Sequence, residues 1–270
     1  MPMNKHQSHT YERPANHQKR EIPTNAGLYY YRENNTDKDS YGKNLPQYSI
    51  FDLLETQASF PVVNEIAYDD YFQIKDATET FVLRTHYPGL IIGIGYVHAV
   101  PEKNDLDFQQ GFFFDWTTGV PLIPGSSIKG LVRSVFPGKE DRNIIAEKCA
   151  YFKDCLGLDD EINAQFLKKL ESQIFEEKGD IFHDAYIIPP KHGKIFAEDY
   201  ITPHTDFEDP TPLRHLKIAT GVSFCFQFQL KNNRHITKSQ KLDLFKQIIL
   251  DFGLGAKTNS GYGIFQEVKK

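Results

Sequence analysis

The 270-residue chain contains no run of 18 apolar residues, so no membrane-spanning helix is expected. Its first residues (MPMNKHQSHT) lack the apolar stretch of a secretory signal. Cysteine is scarce: three residues, an odd number, make no disulfide framework, and the cytoplasm is the expected compartment. Positive charge is not in excess either. Lys and Arg total 31 against 36 Asp and Glu, a formal charge of −5, which argues against a simple basic nucleic-acid binder. Apolar and aromatic residues are plentiful, at 40% and 13%, enough for a sizeable core and too many for a disordered chain. The length suits one large domain or two small ones.

The charge is unevenly spread. Residues 1–60 carry seven basic and seven acidic side chains, residues 61–120 three and nine, residues 121–230 thirteen and seventeen, and residues 231–270 eight and three. Eight minus three makes the last segment +5 on an acidic protein. Attraction to a phosphate acts over about one Debye length, roughly 8 Å at physiological salt, so the local excess matters more than the total. The plain alternative is a solvated basic helix face.

The polar residues 1–24 read as a mobile tail, and residues 25–31 (NAGLYYY) as a short strand or a docking arm. A strand is expected over 79–85. Residues 88–95 (PGLIIGIG) are punctuated by glycine and should bend or approach another backbone closely. Residues 100–110 read as a charged loop, and 111–116 (GFFFDW) as strand-like, followed by a turn at 117–119. Helices are expected from a Ser126 or Ser127 cap through Val132, over 144–152, from 159 to about 177 with Ile162, Phe166, Leu170 and Ile174 on one face, and over 238–252 with Leu242, Phe245, Ile249 and Phe252 inward. Residues 183–188 form a strand before a Pro-Pro break, and 189–212 a long loop. Strands follow over 213–219, 222–230 and 262–268. In the second of these Val222, Phe224, Phe226, Phe228 and Leu230 alternate with polar neighbours, the period of a strand with one apolar face. From about residue 80 the order is the β-α-β-β-α-β, ferredoxin-like (RRM-like) α+β plan, with insertions near 96–120 and 189–212.

Two segments carry candidate chemistry. In residues 124–133 (PGSSIKGLVR), Gly125 permits a tight bend, and Ser126 or Ser127 can cap a helix whose N-terminus favours anions. Lys129 and Arg133, four apart, share a face, and Gly130 leaves room for a ligand backbone. Together they suggest a cradle for sugar-phosphate, against the alternative of an ordinary capped helix. In residues 253–263 (GLGAKTNSGYG), four glycines let main-chain N–H groups reach phosphates or bases, Lys257, Thr258 and Asn259 add donors, and Tyr262 can stack on a base. A glycine C-cap followed by a turn explains Gly253 or Gly255 but not the whole set with Gly261.

Other patterns fit less well. The glycine segment lacks the third glycine of a dinucleotide fingerprint and follows a helix rather than a strand. Residues 125–129 lack the ending of a phosphate-binding P-loop. Ser126 and Lys129 with residues 257–259 imitate serine β-lactamase motifs, but no Ser-Asp-Asn segment lies between them. Cys149 and Cys155 have no histidine at zinc-finger spacing. Asp107 and Asp115 are possible acids near an RNA, though carboxylates of this kind more often sit in solvated loops or turns. His204 more often anchors a loop than recognises a ligand. No cofactor and no metal are expected.

The two glycine-bearing segments together resemble the RAMP superfamily of CRISPR systems, whose signature is a glycine-rich loop just before a final strand. Residues 121–133 (PLIPGSSIKGLVR) are similar to the IPGSSLKG-x-x-R segment of type III effector subunits, and more narrowly to the sixth-subunit branch of type III-B Cmr complexes. Residues 88–95, 111–121, 199–204 and 209–212 support this, and the resemblance spans roughly residues 25–270. It implies one RAMP domain of ferredoxin-like fold over that range. It also implies a cytoplasmic ribonucleoprotein in which the chain binds CRISPR RNA beside other Cmr subunits, and in which the complex recognises complementary target RNA. The residues it implies as RNA-binding are Gly125, Ser126, Ser127, Lys129, Gly130, Arg133, Gly253, Gly255, Lys257, Thr258, Asn259, Gly261 and Tyr262. Target cleavage in such complexes belongs to another, repeated subunit with an acid ahead of the IPGSS segment. Asp107 and Asp115 lie in the comparable region here without matching that acid, so no catalysis is expected. The rival within the superfamily is a metal-independent endoribonuclease that processes CRISPR RNA, for which His86, His98 and His183 would be the acid–base candidates.

Overall fold

The computed structural model describes residues 73–92, 112–158, 162–176, 178–188, 194–201 and 213–268. Expectations for the tail and arm before residue 32, and for Gly93, Gly95, His98, Asp107, His204 and residues 209–212, lie outside the described residues.

The alternation read in the sequence builds the central strand. In β7 (Ser223–Gln229), Phe224, Phe226 and Phe228 are fully buried on one face while Ser223, Cys225 and Gln229 are half-buried on the other. Burying a phenylalanine is worth roughly 2–3 kcal/mol, and a one-residue slip would turn all three the wrong way, so the register is strongly specified. β7 pairs antiparallel with β1 (Glu79–Thr85), setting Phe81 opposite Phe226 and Leu83 opposite Phe224. On its other side it pairs with β4 (Ala185–Ile188), and further along with β3 (Ile181–Phe182). β8 (Phe265–Glu267) joins the free edge of β1, and β2 (Leu122–Ile123) the free edge of β4. The sheet order is β2-β4-β7-β1-β8, antiparallel at every pairing.

Helices α1 (Gly125–Ser134) and α4 (Lys238–Phe252) cover the phenylalanine face. Phe245 of α4 lies 5.6 Å from Phe228 and 5.1 Å from Phe182, ring centre to ring centre. α2 (Arg142–Leu156) and α3 (Ala164–Phe175) pack through Phe136, whose ring is 4.6 Å from Phe152 and 5.4 Å from Phe175. α4 starts at a capping box, in which the Thr237 hydroxyl accepts from the Gln240 N–H and the Gln240 side chain accepts from the Thr237 N–H. A buried ion pair, Lys241 Nζ to Asp180 Oδ2 at 2.6 Å, ties α4 to the segment before β3.

Several expectations change. The second helix is two residues longer at its start and four at its end, running to a left-handed Gly157. The third starts at Ala164 under an Asn163 cap, and its buried residues are Leu167, Leu170, Ile174 and Phe175; Phe166 is only partly buried. Of the expected strand at 111–116, the described residues 112–116 make none: Phe112 and Phe114 are buried, and Phe114 forms a single bridge to Pro121. The expected loop 189–212 contains β5 (Phe196–Ile201), which pairs with β6 (Leu213–Ile218) in a separate two-stranded sheet bridged to the rest by Leu90 and Ile218. The buried stripe of α4 is Lys241, Leu244, Phe245, Ile248 and Ile249, whereas Phe252 is 48% exposed. The basic C-terminal segment is partly neutralised, two of its lysines by acids from elsewhere in the chain. Lys238 meets Glu79 at 2.5 Å and Lys246 meets Glu267 at 2.9 Å, in addition to the Lys241–Asp180 pair.

Candidate nucleic-acid interface

The start of α1 is held from across the chain. Its N-cap residue is Pro124, which makes no side-chain capping bond, and Ser126 and Ser127 are exposed and cap nothing. Instead the Gly125 N–H donates to Asp184 Oδ1 at 2.7 Å, from the turn between β3 and β4. The N–H groups of Ser127 and Ile128 donate to the Pro124 carbonyl. A carboxylate of the protein thus already fills the place that the helix N-terminus offers an anion. The expected phosphate cradle is not open at Gly125.

Lys129 and Arg133 do share a face, but that face is turned to α3. Lys129 Nζ donates to the Phe175 carbonyl at 3.2 Å. Arg133 Nε meets Glu171 at 2.9 Å and its Nη2 meets Glu176 at 3.0 Å, with the guanidinium 5.7 Å from the centre of the Phe175 ring. The hydrogen bond with Glu171 outweighs the desolvation of the guanidinium and, with Glu176, holds its pKa above the ordinary value. Both cations fasten the end of α3 to α1. Gly130 is different. A Cβ added there would meet nothing within 4 Å, although a mid-helix glycine costs about 1 kcal/mol relative to alanine.

The glycine-rich loop joins α4 to β8 and presses on the strand-like segment after Pro88. Gly255 has φ +104°, and a Cβ there would collide with the Ile91 carbonyl oxygen; one at Gly263, φ +74°, would collide with that of Leu254. The Ala256 N–H donates to Ile91 O at 2.7 Å, Gly263 N–H to Gly89 O at 2.8 Å, and Leu254 N–H to Gly263 O at 2.9 Å. Further along, the N–H groups of Ser260, Gly261 and Tyr262 are used within the loop. Most of these N–H groups therefore serve the fold rather than a ligand, which corrects the expectation. Lys257, itself left-handed at φ 57°, stays exposed with Asn259 in the same loop.

Tyr262 does not offer a stacking face. It is 7% exposed, and its hydroxyl donates to Asp199 Oδ2 at 2.8 Å. The same oxygen meets Lys217 Nζ at 2.5 Å. Burial, then the hydrogen bond to Asp199, pushes the Tyr262 pKa up. Burial acts to raise Asp199, but hydrogen bonds from Lys217, Tyr262 and the Tyr200 N–H outweigh it and hold the carboxyl below its ordinary value. This latch clamps the end of the glycine loop to the two-stranded sheet.

Between α1 and the glycine loop lies a groove of about 520 Å³. Ser127, Gly130 and Ser134 line it from one side, and Gly253, Gly255 and Thr258 from the other. Its floor is Leu90, Ile92, Ile123 and Leu254, and Phe252 stands in its wall. The structure therefore brings together the inner residues of both motifs, and leaves Lys129, Arg133 and Tyr262 committed elsewhere. Sequence reasoning missed Phe252, Ser134, Asp184 and Asp199 as parts of the site. Phe252 stands next to the helix-ending glycine, which was a usable signal. Asp184 reaches Gly125 over 59 positions and Asp199 reaches Tyr262 over 63, and no local pattern announces either.

The remaining described candidates build local structure or stand apart from one another. Asp115 Oδ1 accepts from the N–H groups of Thr117 and Thr118 at 2.9 and 2.7 Å and from the Thr118 hydroxyl, so it builds the turn. His86 follows the end of β1, whereas His183 donates its N–H to Gln227, the residue paired with Thr80 near the opposite end of that strand. These two candidates are not brought together as an acid–base pair. Cys149 and Cys155 are free thiols, and among the described residues no group of three or more His, Cys, Asp or Glu could hold a metal. No helix among the described residues is long and apolar enough to cross a membrane.

With its antiparallel sheet, covering helices and glycine loop ahead of the last strand, the chain belongs to the RAMP superfamily, whose family model matches residues 82–266. It is similar to the CRISPR system CMR subunit Cmr6 of Saccharolobus solfataricus, 32% identical over 170 residues, which are 60% of this chain and 50% of that protein. The chain thus spans about half the length of this curated relative. Solved structures similar to it include a chain of the type III-B Cmr-beta complex bound to cognate target RNA, 28% identical with a TM-score of 0.47 over 70% of this chain and 58% of that one. Another is Cmr6 from Pyrococcus furiosus, 21% identical with a TM-score of 0.45 over 73% of this chain and all of that one.

Proposed function

We propose that this chain is a non-catalytic, CRISPR-RNA-binding backbone subunit of a type III-B Cmr ribonucleoprotein. The complex acts in the cytoplasm in antiviral defence, where it recognises complementary target RNA. The observation that carries the RNA-binding part is the groove, where both family motifs meet around a helix glycine that nothing in the described chain requires. The similarity to a Cmr6 protein supports the choice of complex and of other Cmr subunits as partners. We read residues 25–270 as one domain with a ferredoxin-like core, β1-α1-β4-β7-α4-β8. The strand order β4-β7-β1-β8, antiparallel throughout, supports that reading.

In this proposal Ser127, Gly130, Gly253, Gly255 and Thr258 meet the guide in the groove, and Lys257 and Asn259 meet it from the adjoining loop. Gly125, Gly261, Tyr262, Lys129 and Arg133 shape and hold that surface. The groove makes contacts without reading sequence, which base pairing between guide and target supplies. Co-expression with the other Cmr subunits and a guide tests this. The chain should co-purify with guide RNA, and Lys257→Glu should lower occupancy and flatten the salt dependence by roughly the 0.7 slope of one single-strand phosphate. Repeat RNA incubated with the isolated protein in EDTA should stay intact. Site-specific cleavage there would establish the endoribonuclease instead.

A further inference from the structure

The groove is poorly suited to phosphate. None of its described lining residues is charged, and the two cations of α1 are spent on α3. Its floor is hydrocarbon, its rim carries the hydroxyls of Ser127, Ser134 and Thr258, and its volume of about 520 Å³ falls among ligand pockets. Phe252, at the last turn of α4, gives the wall an exposed aromatic ring. That ring is held in place: Tyr151 meets it edge-on at 5.5 Å, and the Tyr151 hydroxyl donates to Asp251 Oδ2 at 2.9 Å. Gln247 anchors the other Asp251 oxygen at 2.8 Å.

An uncharged, aromatic-walled cavity with an exposed lysine in the adjoining loop matches a nucleotide by charge, the neutral base inside and the phosphate out. We propose that this groove is a base pocket, in which one unpaired RNA nucleobase stacks on Phe252 and is edged by the Ser and Thr hydroxyls. The assignment rests on the RNA-binding reading above and deepens it, since it moves the grip from the backbone to a base. Hydroxyls turn to donate or accept, so the pocket accommodates different bases. The stacking role that the sequence suggests for Tyr262 passes to Phe252.

The test uses the full chain and two probes: a short uridine oligoribonucleotide and the same oligomer with abasic riboses. Affinities are measured by fluorescence anisotropy at one ionic strength. Phe252→Leu should bind the base-bearing RNA about tenfold more weakly than the wild type, as for loss of one stacked base, and the abasic RNA equally well. Phe252→Trp should restore the difference. Gly130→Leu, which fills the groove from the opposite wall, should act like Phe252→Leu and guards against misfolding of that variant. Equal weakening of both RNAs, or no weakening of either, overturns the base pocket while the RNA-binding reading stands. Failure of the wild type to bind either RNA refutes the RNA-binding reading and the pocket with it.

Discussion

Gly130→Ala separates the stability of this protein from its RNA affinity. The position lies inside α1, and the added methyl meets no atom of the described chain within 4 Å. Alanine is better than glycine in a helix interior by about 0.8–1.0 kcal/mol, and no overpacking offsets the gain. Without RNA the variant should therefore melt about 2–4 °C higher than the wild type. The same methyl points into a groove proposed to be filled by RNA. Inserting a methyl into a packed contact costs about 1–3 kcal/mol, which is about a five- to 150-fold loss of affinity. Thermal unfolding without RNA and an anisotropy titration with it measure the two effects on one preparation. They have opposite signs, so general damage to the fold cannot imitate the pair. A lower melting temperature would show that the groove is occupied by the chain itself. A higher one with unchanged affinity would refute the assignment of the groove to RNA.

Arg133→Ala and Lys129→Ala should lower stability, each by no more than about 1 kcal/mol for exposed or carbonyl-directed contacts, and leave RNA affinity within about twofold; urea unfolding and the same titration measure both. Asp199→Asn should change the acid limb of stability. A carboxyl held below its ordinary value contributes fully above the unfolded pKa of about 3.9 and loses that contribution as pH falls through the folded value, so the variant's stability should fall less than the wild type's between about pH 4 and pH 2. Lys241→Met should destabilise by about 3–5 kcal/mol, because Asp180 is left as a buried, unpaired charge, and adding Asp180→Asn should recover part of the loss in denaturant unfolding.

What was legible in the sequence was what local periodicity encodes. Phe224, Phe226 and Phe228 announce β7 by alternation, and the four-residue spacing of Phe245 and Ile249 announces the helix that covers it. β5 stayed hidden because its only strong apolar positions, Phe196 and Ile201, follow a Pro-Pro break and flank a run of charge, and its pairing partner is supplied by β6 rather than by its own pattern. Phe252 continues the spacing of Phe245 and Ile249, so it reads as core. It is exposed because α4 ends there, at the groove.

The charges illustrate the same limit more sharply. Counting by segment isolates a +5 C-terminal region and suggests a basic surface for RNA. Three of its lysines are instead paired with Glu79, Asp180 and Glu267, acids that lie close by only once the chain is folded, and two of those partners come from outside the basic segment. Lys129 and Arg133 are spent in the same way on α3. A residue count gives the inventory of cations; folding decides which stay uncommitted. Within the glycine loop Lys257 is the one cation, and it remains exposed, beside an uncharged groove. Among the described residues, a groove and loop with a single exposed cation cannot grip RNA mainly by counterion release. For the RNA binding proposed above, a weak salt dependence and a strong dependence on Phe252 and Gly130 are what this geometry requires.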